Sequence, residues 1–132
     1  MERKYLPSLG DLIDRLSIDQ IKEVLIPAHK DQYAEEIADI LHDIDLIIKD
    51  KEITAETIRA IVVMSQMNLH IWYNEANCRK GDKNNNNLYL SHGLNGIRVQ
   101  AKNKINQILK TGTADLKVDC LAAEFKSWEI SW

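Results

Sequence analysis

The sequence predicts an all-α protein, a compact helical bundle of four main helices plus a short C-terminal helix. Three observations lead there. Apolar residues recur every three or four positions instead of alternating, which is the period of a helix with one buried face. Turn formers are scarce: proline stands only at Pro7 and Pro27, and glycine occurs five times in 132 residues, too little punctuation for many short strands. The length suits one domain with a real core and is short for two, so residues 1–132 are read as a single helical domain. A hydrophobic content of 45% and a charged content of 28% are ordinary for a globular chain.

The elements follow in order. Pro7-Ser8 opens the first helix, with Ser8 as N-cap and Asp11 three residues on, a variant of the capping box. Its apolar stripe is Leu9, Leu12, Ile13 and Leu16, and it stops near Leu25 because Pro27 disfavours helix at the residue before it. A second helix covers 31–49, with Tyr33, Ile37, Ile40, Leu41, Ile44, Ile47 and Ile48 on one face. Lys51 and Glu52 form a turn. Thr54 caps a third helix that runs to Arg79. The asparagine run at 84–87 reads as a loop, because asparagine competes with its own backbone for hydrogen bonds. A fourth helix begins between Leu88 and Ser91 and ends near Lys110, with Gly112 as the capping glycine. The fifth covers 115–127.

Composition narrows the function classes. A net charge of -3 and a pI near 5.8 argue against duplex nucleic acid, which wants a basic face. A small anionic ligand needs only a few local cations and stays open. Cys78 and Cys120 form no CxxC pair, and two separated thiols suit a reducing compartment, a single long-range disulfide staying open. No signal-peptide pattern follows Met1. The longest apolar run, 60–64, is far below the roughly 20 residues of a membrane span. The expected location is cytoplasmic, with no membrane partner.

The third helix carries the most informative pattern. Asn68, Trp72, Glu75 and Arg79 fall within about 60° of each other on one stripe. Extended backwards, the stripe reaches Ile58, Ile61 and Ser65, so the polar residues continue a buried face. An unpaired buried amide or charge costs several kcal/mol, which favours a pocket wall over a surface Glu75–Arg79 pair beside a packed Trp72. On the fourth helix His92, Asn95, Val99, Lys102 and Asn106 share a stripe opposite Leu94, Ile97, Ala101, Ile105 and Ile108, with Arg98 at the core edge. That polar stripe reads either as a solvated face or as donors suited to phosphate or carboxylate. On the first helix Asp19 and Glu23 extend the apolar stripe of Leu12 and Leu16. They form a polar end to an amphipathic helix, or else pair with Arg79, Arg98 or Lys102 or take ribose hydroxyls.

Other chemistries find less support. Glu35-Glu36 with Asp39 looks like the acidic helix of the all-helical nucleotide pyrophosphohydrolases. Here Glu35, Asp39 and Asp43 point away from the isoleucine stripe, and no upstream paired-glutamate helix exists. Gly93 and Gly96 are not a phosphate loop. His29, His42, His70 and His92 lack zinc spacing. No serine or cysteine stands in a nucleophile motif; Cys78, next to Arg79, reads as structural or incidental. No catalytic residue, metal ligand or cofactor is assigned.

Several blocks resemble an uncharacterised family of small helical proteins, a domain of unknown function associated with bacterial glycan-gene neighbourhoods. They are the run from Ser8-Leu9-Gly10-Asp11 through Asp14-Arg15 to Ile18 with Ile21-Lys22; Ile71-Trp72 with Glu75 and Arg79; Lys102 with Ile105-Asn106; and Glu124 with Lys126-Ser127-Trp128. The chain departs at Trp128, where the family pattern has tyrosine, and at the asparagine run. The resemblance implies no activity. It does imply that Gly10, Asp11, Asp14, Arg15, Trp72, Glu75, Arg79, Lys102, Asn106 and Lys126 belong to one site. The size, the Lys/Asn/Ile bias and the lack of a catalytic motif also look like a small phage-encoded protein.

Three functions are weighed. The first is a non-catalytic binding protein for a small anionic, nucleotide-derived ligand, such as a phage sponge that sequesters an immune signal. In it Trp72 stacks on a base, Arg79, Arg98 and Lys102 hold phosphates, and Glu75 or Asp14 takes ribose or amine groups; Asp11, Arg15, Asn68, His92, Asn95, Asn106 and Lys126 complete the candidate site. The second is a magnesium-dependent hydrolase or transferase acting on a nucleotide or nucleotide-sugar. The third is an inhibitor of a host protein, with Trp128 and Trp132 in an exposed contact or a dimer seam, a homo-oligomer being compatible with either binding role. The first is preferred.

Overall fold

The computed structural model describes residues 6–79, 85–111 and 130–132, with side chains described through Ala76 and again from Leu90. Four helices account for the described residues, and no strand occurs among them: α1 (Leu9–Leu25), α2 (Lys30–Ile48), α3 (Ala55–Arg79) and α4 (Asn85–Leu109). A 3-10 turn at Pro27–His29 joins α1 to α2. The expected fifth helix and Gly112 lie outside the described residues.

Helix α1 starts where its cap says it should. Ser8 Oγ accepts the Asp11 backbone N–H at 3.2 Å, and Asp11 Oδ2 accepts the Ser8 N–H at 3.1 Å. This reciprocal capping box satisfies two donors that the first turn would leave bare. The helix ends at Leu25, ahead of Pro27. α2 keeps the expected isoleucine face: Ile40 is buried, and Ile44, Ile47 and Ile48 pack against the core. Leu41, expected on that face, is instead 46% exposed. Glu35, Asp39 and Asp43 are exposed, as their placement off the stripe requires.

α1 is the middle of the assembly. It packs against α2 on one side and against the tightly paired α3 and α4 on the other, whereas among the described α-helices α2 approaches only α1 closely along its backbone. The core gathers Leu9 and Ile13 of α1, Ala60 and Met64 of α3, and Ala101, Ile105 and Leu109 of α4. Ala60, Met64, Ala101 and Ile105 are all fully buried, and the two alanines keep α3 and α4 slim within this core. Removing a side chain like Met64 from such packing costs about 2–5 kcal/mol.

Two local expectations are corrected. The buried stripe of α3 runs through Thr57, Ala60, Met64 and Asn68. Ile58 is 55% exposed, with Val62, Leu69 and Tyr73 on the same outer side. Thr57 can take the inner position because its hydroxyl shares a 3.3 Å hydrogen bond with Thr54 Oγ1. Next, α4 begins at Asn85, so Asn85, Asn86 and Asn87 are helical rather than loop. Asparagine is as much at home at a helix N-terminus as in a turn. Finally, α4 ends with Lys110 in the left-handed conformation, φ 54°. The Thr111 N–H then donates back to the Asn106 carbonyl at 2.9 Å, the six-to-one bond of a Schellman cap.

The end of the chain returns to α3. Arg59 donates to the Ser131 carbonyl at 2.7 Å and to Ser131 Oγ at 3.1 Å, and its guanidinium lies 5.7 Å from the Trp132 ring centroid. Trp132, expected in an exposed contact or dimer seam, therefore has an intramolecular partner.

Candidate functional site

The inner stripe of α3 leaves the apolar core at Asn68. This amide is 5% exposed, and its Nδ2 donates to Asp14 Oδ1 at 2.8 Å and to Ser17 Oγ at 2.7 Å, both on α1. The other Asp14 oxygen is 3.3 Å from Arg98 Nη1 of α4. One carboxylate thus ties three helices together. It is mostly buried, and its two charge-assisted bonds offset the desolvation.

Next to this tie lies a cleft of about 330 Å³ between α1, α3 and α4. Ile18, Ile21 and Ile71 supply apolar walls, and Trp72 a half-buried aromatic ring. Asn68, Glu75, Asn95 and Arg98 supply the polar groups. Arg98 Nε is buried there without a hydrogen-bond partner, although the same guanidinium reaches Asp14 through Nη1. The cleft collects five of the candidate residues from two helices. A planar molecule of modest size would meet a ring, amides and one guanidinium.

A second group gathers where α1 starts. Asn106 is 5% exposed; its Oδ1 accepts the Gly10 N–H at 2.8 Å and the Thr111 hydroxyl at 2.8 Å, and its Nδ2 donates to Ser8 Oγ at 3.0 Å. Lys102 Nζ stands 3.4 Å from Asp11 Oδ1. A Cβ on Gly10 would fall 2.8 Å from the Lys102 carbonyl oxygen and 2.9 Å from Asn106 Nδ2. These residues form a clamp between α1 and α4. The C-terminal part of the polar stripe of α4, Lys102 and Asn106, therefore faces α1 rather than solvent.

A third group lines a groove of about 680 Å³ along α1 and α2, which includes Asp11, Asp14, Arg15, Asp19, Lys22 and Glu36. Arg15 Nε donates to Glu36 Oε1 at 2.9 Å. This bond holds the Glu36 carboxyl below its ordinary range and raises Arg15. Burial, then the charge of Glu36 and a hydrogen bond to it, pushes Asp19 up. Asp19 is 3% exposed and its Oδ2 has no partner.

The candidate residues therefore divide. Asn68, Trp72, Glu75, Asn95 and Arg98 meet at one cleft, with Asp14 bonded to two of them. Asp11, Lys102 and Asn106 belong to the α1–α4 clamp, and Arg15 pairs with Glu36. His92 is half-buried on α4. Arg79 ends α3, but its side chain, and all of Lys126, lie outside the described residues. Of the cations expected to meet Asp19 or Glu23, Arg98 instead takes Asp14 and Lys102 takes Asp11. Ser17 and Glu36 were missed: nothing local marks a serine or an outer-face glutamate that finds its partner on another helix. Among the described residues no three His, Cys, Asp or Glu side chains come together as a metal site, and no described helix is long and apolar enough to cross a membrane. Comparison with protein-family models, curated proteins and solved structures finds no match to this chain.

Proposed function

We propose that this chain is a non-catalytic binding protein whose cleft between α1, α3 and α4 takes a small, nucleotide-derived ligand. The observation that carries the reading is Arg98 Nε, a guanidinium donor buried without a partner in a cleft that also holds Trp72. Buried donors are almost always satisfied, so a free one in a cleft suits a ligand acceptor. The volume lies at the lower end of small-molecule pockets, about 300–1,000 Å³. Stacking of a base on an aromatic ring contributes about 1–3 kcal/mol, and Asn68 and Asn95 offer amide donors and acceptors for a base edge.

The pairing of the cations shapes the ligand. Arg15, Arg98 and Lys102 each face a carboxylate, so the cleft suits a planar group with one anionic group at Arg98 better than a polyphosphate. On this reading the chain holds its ligand rather than transforming it, as a phage sponge for a nucleotide immune signal in the cytoplasm would.

The test is the mass of whatever the purified protein releases on heating, followed by titration of that species. A nucleotide-like mass, with binding lost in Trp72→Ala and in Arg98→Gln while both variants keep the wild-type helical content, is the expected result. Magnesium-dependent turnover of the released species would replace the binding role with an enzymatic one. Binding that persists in both variants would remove the cleft from consideration.

A further inference from the structure

We propose that the groove between α1 and α2 at Asp19 is a second ligand site, for a small organic ammonium on an aliphatic chain. Asp19 lines this groove of about 680 Å³, is 3% exposed, and has an Oδ2 with no hydrogen-bond partner. A carboxyl oxygen withdrawn from water and left unpaired is costly, and such an exception in a folded protein suits a donor from outside. The neighbouring acids are already engaged. Asp11 faces Lys102, Asp14 is bonded by Asn68 and Arg98, and Glu36 is bonded by Arg15 and shares a hydrogen bond with the Asp19 carboxyl, whose Oδ2 stays unpaired. Asp19 Oδ2 is the acceptor in the groove left without a donor.

The cations of the groove do not fill that role. Arg15 spends its Nε on Glu36, and Lys22 Nζ stands 5.9 Å over the Tyr33 ring. Arg15 is 68% exposed along its side chain, so it can swing aside to admit a ligand. An ammonium head is compact and carries three donors, enough to bond Asp19 Oδ2 and bridge to Glu36. Leu6, Pro7, Leu12 and Ile18 give the groove an apolar wall for methylenes. A metal ion fits less well, because no three ligating side chains converge among the described residues. The site is separate from the Trp72 cleft and does not depend on it, although Ile18 borders both.

The probe is cadaverine, with pentanediol as the neutral molecule of the same chain length, titrated into isotopically labelled full-length protein and read by amide chemical shifts. Cadaverine is expected to give saturable shifts at Arg15, Asp19 and Glu36, and pentanediol none. Asp19→Asn and, independently, Glu36→Gln should each weaken cadaverine about tenfold or more. Glu35→Gln, at an exposed acid of the same helix, should leave it unchanged. Equal shifts with pentanediol, undiminished binding in folded Asp19→Asn and Glu36→Gln, or no saturable shifts with cadaverine would each overturn the proposal.

Discussion

Asp19 makes a contribution to stability whose sign can be worked out. Burial, with the charge of Glu36 next, raises its carboxyl above the ordinary range, so the folded chain holds that proton more tightly than the unfolded chain. The resulting stability is fully present below the ordinary aspartate value and is lost as pH rises through the raised folded value. Asp19→Asn removes the titration. Its unfolding free energy should match the wild type in acid, exceed it as pH rises, and level off at a higher value near neutrality. Glu36 runs the other way. Arg15 lowers it, so its support is present above the ordinary glutamate value and fades as pH falls through the lowered one; exposure of both partners keeps that effect small. Urea unfolding of Asp19→Asn across a pH series checks the sign, and an advantage confined to acid would refute the assignment. At Gly10 the controlling quantity is distance. Its missing Cβ would sit 2.8 Å from the Lys102 carbonyl oxygen, a backbone atom that cannot yield without moving α4. Gly10→Ala should lower stability by about 1–3 kcal/mol, read as a lower urea midpoint at an unchanged slope. What was legible at this scale was placement. Asn68 and Asn106 sit on core-facing stripes, and both are buried. Their partners were not legible, since Asp14, Ser17 and Gly10 lie 54, 51 and 96 residues away in sequence.

Whole elements were more legible, because their signals are local. The Ser8–Asp11 box, Pro27 and the isoleucine stripe of α2 depend on neighbours within one or two turns, and α1 and α2 follow them within a residue or so. Where the reading slipped, two local rules gave opposite answers. Asparagine favours both turns and helix starts, so the run reads as a loop although Asn85, Asn86 and Asn87 open α4. The rotation of α3 was misjudged because Ile58 looks like core while Thr57 does not; tertiary packing and the Thr54 bond reversed that order. α4 ends close to Lys110, as its pattern predicts, and Lys110 itself takes the left-handed conformation. A side chain with a Cβ in that conformation carries a penalty of about 1–2 kcal/mol. Lys110→Gly should therefore raise stability by up to about 1 kcal/mol, with some of the gain lost to the greater freedom of glycine in the unfolded chain. Thermal unfolding followed by circular dichroism reads this directly. A lower midpoint would mean that the Lys110 side chain contributes more than its backbone strain costs.

For the molecule as a whole, what matters is how unevenly the helices are tied together. α3 and α4 share the alanine-lined contact and the fully buried Met64 and Ile105. α1 is joined to them by Leu9 and Ile13, by the Asn68–Asp14–Arg98 tie and by the Asn106 clamp. Among the described α-helices α2 approaches only α1 closely, and an apolar gap of about 340 Å³ lies between Ile37 and Leu41 of α2 and Ile61 of α3. Among the described residues its ion pair to α1 is Arg15–Glu36, whose side chains are 68% and 37% exposed, and such exposed pairs contribute roughly 0–1 kcal/mol. Local opening follows the weakest attachment. Native-state hydrogen exchange should therefore find the middle of α3 and α4 slowest, α1 next, and α2 open at a free energy below that of global unfolding. The order has a consequence for binding. The Trp72 cleft is built on α1, α3 and α4, the strongly joined part, so its ligand should slow exchange there and leave α2 nearly unchanged. An ammonium in the α1–α2 groove should instead raise the protection of α2. Uniform exchange across all four helices, unaffected by either ligand, would show that α2 belongs to the same cooperative unit as the rest and that the attachments counted here do not govern its opening.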